Sequence, residues 1–402
     1  VISFREAKAI AAAHHTRLKP VWKELDEAAG LVLAETVTAP FDIPAFDQSA
    51  MDGYAFCFQQ WHPQSELAVE GLLPAGYPGE AAVLPGQAAR IFTGAAMPRG
   101  ADTVVIQEHT RVQDKRLRIE DTRLQTGSNV RPKGSEIRAG MVAMEAGTLL
   151  SPGATGFLAG IGIGRVKVYP APRAGILITG DELQPPGSRP LYGQVYESNS
   201  FALKAALRQY GIGTPQVFHV QDKPAALEQA IREALEHTDI LLVSGGMSKG
   251  DYDFVAASLL LNNVQPLFHG VKQKPAKPMY LGKRGNKLVF GLPGNPSAAL
   301  TCFYMYVLPA IQYAMGHAQV GLAEIPAVLT QPLQKKKGQT CLLKGYYRHG
   351  RVTALPAQES YRMQGFALAN CLICLEEEKE VYAAGEQAQV ALLAAHPQAI
   401  MY

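Results

Sequence analysis

The spacing of apolar positions along the chain changes period three times. Residues 4–13 are good helix formers behind Ser3 and Glu6, which have the spacing of a capping box, and predict a helix. Residues 21–29 predict a second helix, stopped by Gly30. From Phe41 to about Glu136 short apolar runs at 89–92, 103–107 and 116–119 alternate with Gly, Pro and Asp turns, the pattern of a β-rich module. The stretch 140–170, rich in glycine and small residues, reads as a connector.

From Ala174 strand and helix patterns alternate with short links. Strands are expected at 174–178, 215–220, 239–243 and 288–291. Between them fall helices at 200–210, capped by Asn199 and stopped by Gly211, at 222–236, opened by Asp222 with Pro224 in its first turn, and at 254–261. Asn295 and Pro296 supply an N-cap and a first-turn proline for a long helix over 297–308. This alternation predicts a doubly wound α/β domain with a mostly parallel sheet. After Gly316 short strands return at 327–330, 340–343, 352–355, 371–375 and 389–393, predicting a small β-barrel or sandwich.

Composition narrows the function classes. The chain has 402 residues, 47% hydrophobic and 18% charged, with a net charge of +3. That length suggests several domains with a core large enough to need no staple. The small net charge gives no general affinity for nucleic acid or an acidic membrane, so any anion site must be local. Five scattered cysteines form no disulfide framework, no apolar run reaches membrane-spanning length, and the charged opening is unlike a signal peptide; cytoplasmic residence is the expectation. Cys371 and Cys374, an odd separation on a strand, should point to opposite faces and pack rather than bind zinc. The Lys335–Lys336–Lys337 run is expected at a solvated hairpin tip, and His14 and His15 at a solvated helix end.

The candidate chemistry lies where ligands bind in open parallel sheets, beyond the carboxyl ends of the strands. Three strand-end loops have special composition: Thr179-Gly180-Asp181-Glu182, Ser244-Gly245-Gly246-Met247-Ser248-Lys249-Gly250-Asp251-Tyr252-Asp253, and Gly291-Leu292-Pro293-Gly294-Asn295-Pro296. Glycines expose backbone N–H groups, and the helix that follows adds a positive dipole end, a setting for phosphate. Carboxylates among them make sense if a hard divalent cation bridges them to phosphates. Lys274 and Lys277, on a segment stiffened by Pro275 and Pro278, add positive charge. None of the loops has Walker or dinucleotide-fold glycine spacing, which disfavours a common ATPase or NAD enzyme. In the β-rich module, 44–55, 91–98 and 100–103 read as turns by composition and carry Asp47, Asp52 and Thr93.

Taken in order, the segments 44–56, 93–108, 129–140, 179–183, 244–253, 274–278 and 291–296 resemble the molybdopterin molybdenumtransferase family, MoeA, to which the E domain of gephyrin belongs. The Pro-Ala-Phe-Asp-x-Ser-Ala-Met-Asp-Gly-Tyr-Ala stretch at 44–55 is specific to that family, whereas the Ser-Gly-Gly-x-Ser-x-Gly-Asp loop is shared with single-domain adenylyltransferases. The resemblance implies an enzyme of molybdenum cofactor biosynthesis that takes molybdate and adenylylated molybdopterin and releases AMP with the help of Mg2+. It implies an elongated helical and linker domain (1–45 and 136–172), an inserted β-rich domain (46–135), an α/β molybdopterin-binding domain (173–322) and a C-terminal β-barrel (323–402). It also implies a homodimer whose cleft is completed by the β-rich domain of the second copy, with transient contact with other cofactor-biosynthesis proteins or molybdoenzymes.

Carried over by position, Asp52, Thr93 and Glu182 are the expected catalytic residues. Thr179, Gly180, Asp181, Asp222, Ser244, Gly245, Gly246, Pro293, Gly294 and Asn295 are expected around the pterin and AMP. Ser248, Asp253, Lys274, Lys277, Pro278, Lys344 and Ser360 are expected around molybdate, and Asp181, Glu182 and Asp251 around Mg2+. The chain departs from the family pattern at Lys344, where Arg is usual; at Ser297-Ala298, where Val-Ser is usual; at Tyr361-Arg362, where His-Met is usual; and at Glu136. Lysine keeps the charge at 344 but not the bidentate fork, an expected loss of about tenfold in affinity. Two alternatives stay open: a family member that binds pterin or a partner with weak or no turnover, and a molybdopterin adenylyltransferase.

Overall fold

The computed structural model describes residues 1–77, 80–246 and 254–393. Two compact units partition the chain, one of residues 1–22, 30–34 and 167–402, the other of 23–29 and 35–166.

The larger unit is built on a six-stranded sheet. Its spatial order is Gln216–Val220, Ala174–Thr179, Ile240–Ser244, Lys287–Leu292, Tyr280–Arg284 and Gln265–His269. The first four strands are parallel; at one edge Tyr280–Arg284 runs antiparallel to both of its neighbours, Lys287–Leu292 and Gln265–His269. Those two edge strands, with Val271–Lys274, were not legible in the sequence. Alternate residues of the central strands feed two cores, Ile176, Ile178, Leu242 and Phe290 on one face and Leu177, Leu241, Val243 and Val289 on the other. Helices Asn199–Gln209 and Pro296–Cys302 cover the first face, Pro224–His237 and Phe254–Leu261 the second.

The expected long helix at 297–308 is one rod of three pieces: α-helix to Cys302, a π-helical turn at Phe303–Val307, and α-helix Leu308–Ala314. Pro309 has no N–H to return to residue 305, which accounts for the widened turn just before it. The rod is buried on nearly all sides, which explains its lack of amphipathic periodicity.

Five strands of the C-terminal region close into a barrel, in the order Thr340–Arg348, Arg351–Ala354, Glu324–Leu329, Gln387–Leu392 and Cys371–Leu375, the last pairing back with the first. Cys371 lies inside the barrel, while Cys374 packs against the α/β core outside it, on opposite faces as the spacing requires.

The smaller unit contains a six-stranded sheet in the order Thr110–Gln113, Arg116–Ile119, Leu67–Leu73, Gln87–Ile91, Gly53–Phe56 and Thr103–Ile106. Gly53 is obligatory there: a Cβ on it would lie 1.8 Å from the Val105 carbonyl oxygen. The 140–170 connector holds a helix, Pro152–Gly160, with Ser151 as its N-cap.

Several local expectations are corrected. The 21–29 segment is a strand, Val21–Glu24, then a single 3-10 turn, Leu25–Glu27. The Lys run is not uniformly solvated: Lys335 is buried, its ammonium donating to the carbonyls of Lys336, Gln339 and Glu377, which stand in for water. His15 is half-buried against Tyr313, and burial lowers its pKa to about 4. The first helix, Phe4–Ala13, has both reciprocal bonds of the Ser3/Glu6 capping box.

Candidate active site

A cavity of about 680 Å³ opens at the carboxyl end of the central parallel strands. Thr179, Gly180, Glu182, Asp222, Ser244, Gly245, Gly246, Pro278, Pro293, Gly294 and Asn295, eleven of the residues expected at the site, line it together. Its size suits a ligand larger than a single nucleotide base or phosphate.

Each wall follows from local chemistry. Thr179 ends its strand and is 4% exposed. Its hydroxyl donates a short hydrogen bond to Asp222 Oδ1, so the carboxylate is held at the cavity rather than capping a helix. The helix after Asp222 starts at Pro224 with Lys223 as its cap, one or two residues later than the sequence suggests. Gly245 has φ +102°, and a Cβ there would lie 2.2 Å from the Thr179 carbonyl oxygen. Two strand-end turns thus meet at a distance only glycine allows. The third turn joins them at Gly294, where an added Cβ would be 3.9 Å from Gly245 Cα.

Asn199 was expected to cap its helix; it lies inside the first turn and binds the other two loops instead. Its amide donates to Ser244 Oγ and to the Gly294 carbonyl, both at 2.7 Å. The helix is organised by Glu197, which accepts from Ser200 N–H at 2.8 Å and Ser200 Oγ at 2.6 Å. Asn295 precedes its helix as expected, but no side-chain capping bond forms; its amide donates to Ser360 Oγ, 2.9 Å away. The barrel therefore contributes to the rim, with Tyr361 also lining the cavity. Glu197, Asn199, Tyr196 and Tyr361 were missed as lining residues. Nothing in their local sequence distinguishes them, since the sheet, the 183–196 ribbon and the barrel bring them together.

The lysine segment flanks the same region through Pro278. Lys274 and Lys277 are exposed and have no carboxylate partner among the described residues. Asp181 does not line the cavity; its Oδ1 accepts from the Asp222 N–H at 3.3 Å. Ser248, Asp251 and Asp253 lie outside the described residues. Among the described residues no group of three or more His, Cys, Asp or Glu side chains is placed to hold a metal ion.

Lys344 requires a correction. It is 3% exposed, and its ammonium donates to Ser297 Oγ (3.0 Å) and to the carbonyls of Ala357 (2.5 Å), Arg362 (3.2 Å) and Glu359 (3.4 Å). An ammonium has three protons, so none is left for an incoming oxyanion. Burial lowers its pKa, partly offset by the Glu359 carboxylate.

In the smaller unit Asp52 Oδ1 accepts from Thr93 N–H at 2.8 Å and Thr93 Oγ1 at 2.7 Å. These bonds hold the Asp52 carboxyl below its usual pKa. Asp47 accepts from Lys133 N–H and supports the same region of loops.

The fold and cavity define a doubly wound α/β ligand-binding protein with an appended barrel. Family models match residues 2–162 (MoeA N-terminal region, domain I and II), 175–313 (probable molybdopterin binding domain) and 326–393 (MoeA C-terminal region, domain IV). The chain is 34% identical to a Haemophilus influenzae protein named molybdopterin molybdenumtransferase, over 90% of this chain and 91% of that one. It is 31% identical to molybdopterin molybdenumtransferase 2 of Mycobacterium tuberculosis, over 96% and 98%. The crystal structure of the molybdopterin biosynthesis MoeA protein from Pyrococcus horikoshii superposes with a TM-score of 0.82 at 27% identity, covering 98% of this chain and 99% of that one. This chain belongs to the molybdopterin molybdenumtransferase (MoeA) family. Among the described residues no helix is long and apolar enough to cross a membrane.

Proposed function

We propose that the protein inserts molybdenum from molybdate into adenylylated molybdopterin and releases AMP. The observation that carries this reading is the convergence of three glycine-bearing strand ends, the Asp222 carboxylate and the barrel residue Tyr361 on one cavity of about 680 Å³. In this reading the Gly245-Gly246 and Gly294 turns offer backbone N–H groups to phosphate. Thr179 holds Asp222 in place, Lys274 and Lys277 attract the molybdate dianion, and Ser360 and Tyr361 close the rim. Glu182 and Asp222 would hold a magnesium ion together with the substrate phosphates, a fit for a cation that takes one or two carboxylates and keeps its other positions for phosphate and water. When bound, that ion supplies neutralisation of phosphate charge. Separation of AMP is then a matter of positioning and charge stabilisation. The protein acts as a homodimer in which Asp52 and Thr93 of the second copy complete the site.

Purified protein given adenylylated molybdopterin, molybdate and Mg2+ is expected to release AMP and yield cofactor that activates an apo-molybdoenzyme. Absence of AMP release under these conditions overturns the reading. The engagement of Lys344 favours a second reading, a family member that binds pterin without turnover. In that case tight pterin binding without AMP release is the signature.

A further inference from the structure

The resemblance expects a cation at position 344 to meet the oxyanion, yet the buried Lys344 ammonium is already engaged by Ser297 Oγ and the carbonyls of Ala357, Glu359 and Arg362. Its stem runs past Gly365, where an added Cβ would lie 2.9 Å from Lys344 Cδ, and its charge sits 5.9 Å from the Phe366 ring centre. The backbone around it is fixed as well: Gln358 accepts from Lys344 N–H at 2.9 Å and donates to the Lys344 carbonyl at 2.8 Å. The 357–362 segment is therefore wound around one ammonium group, three of its carbonyls pointing inward.

This segment carries Ser360 and Tyr361. It is tied to the start of the Pro296–Cys302 helix at three points: the Lys344 ammonium on Ser297 Oγ, the Ala298 N–H on the Ser360 carbonyl at 3.2 Å, and the Asn295 amide on Ser360 Oγ. Of these, only the Lys344–Ser297 bond joins a buried charge to the helix.

We propose that Lys344 is a positioning residue, the hub of a clamp that fixes Ser360 and Tyr361 at the rim of the cavity, with Ser297 as its matched receptor. The proposal rests on the reading of that cavity as the substrate site. It joins two departures from the family pattern into one feature. A hydroxyl at 298 would lie about 100° further round the helix. A guanidinium has its donors in one plane, whereas acceptors on the Ser297 side chain and on three separate carbonyls suit a tetrahedral ammonium. Gly365 leaves the lysine stem its path, since a Cβ there would lie 2.9 Å from Lys344 Cδ.

The test uses the full chain and the variants Lys344→Met, Lys344→Arg and Ser297→Ala. Hydrogen exchange of the peptide spanning 357–362 is expected to quicken at least tenfold in Lys344→Met and about threefold in Ser297→Ala, while the Cys371–Leu375 strand keeps its protection. In steady-state assays the KM for molybdate is expected to rise about tenfold in Lys344→Met with kcat changed less than threefold. Lys344→Arg is expected not to restore it. If Lys344→Met fails to fold, Ser297→Ala and Lys344→Arg carry the exchange measurement. Unchanged exchange at 357–362 in the folded variants overturns the clamp, as does a Lys344→Arg protein with a lower KM for molybdate than the parent. The exchange arm needs no turnover, so an inactive parent protein defeats the functional reading without touching this one.

Discussion

The hydroxyl of Tyr306 donates to Oε1 of Gln273, 2.5 Å away, with both side chains almost fully buried. The amide of Gln273 donates in turn to the carbonyls of Pro275 and Ala276, each at 3.2 Å. The turn that presents Lys274 and Lys277 is thus held from behind by the core. Tyr306 lies in the π-helical turn, so an irregularity of the buried rod supports an exposed pair of charges.

Tyr306→Phe removes the donor and leaves Gln273 Oε1 buried without it, at an expected cost of about 1–3 kcal/mol. Thermal unfolding should show this loss. The KM for molybdate should rise several-fold with little change in kcat, because the lysine turn loosens while the groups of the cavity stay in place. Equal effects on both constants, or none, would contradict the link.

Asn199→Ala should destabilise the protein by about 2 kcal/mol, since Ser244 Oγ and the Gly294 carbonyl lose a common donor. Because those two loops wall the cavity, binding of AMP measured by calorimetry should weaken in the same variant. A mere helix cap would move stability alone.

Asp52→Asn should lower turnover by at least tenfold with little change in melting temperature. Its two bonds from Thr93 lie at the surface, where removing charge has a small effect on folding. Because these bonds lower the folded pKa, the stabilisation they give is present above the unfolded-state pKa and is lost as pH falls through the folded value. A rate close to that of the parent would place the catalytic carboxylate elsewhere.

His15 provides a pH test of the core. Burial lowers its pKa from 6.5 to about 4, and its Nε2 has no hydrogen-bond partner. Between those values the unfolded chain binds a proton that the folded chain refuses, so stability falls as pH drops from 6.5 toward 4 and levels off below. Allowing for partial exposure, the change is about 1–2 kcal/mol. Urea unfolding across this range should show a shallower slope in His15→Phe than in the parent protein.

The sequence by itself determined the Ser3/Glu6 cap, the doubly wound pattern and most residues of the cavity. Each rests on local chemistry: helix formers behind a cap, apolar runs between turns, and glycines where two backbones must approach. Gly245 is legible because a strand-end glycine has a local signature, even though its reason is the distant Thr179 carbonyl. The tertiary structure decided what the long polar side chains do. Lys344 and Lys335 read as cations available to solvent or ligand, yet both are buried and satisfied by carbonyls: those of Ala357 and Arg362 for Lys344, and for Lys335 that of nearby Gln339 together with that of Glu377, from a segment distant in sequence. Asn199 and Asn295 read as caps, yet both spend their amides on neighbouring loops. A side chain of that length has several partners within reach, and which one it takes depends on which chain segments the fold has placed there.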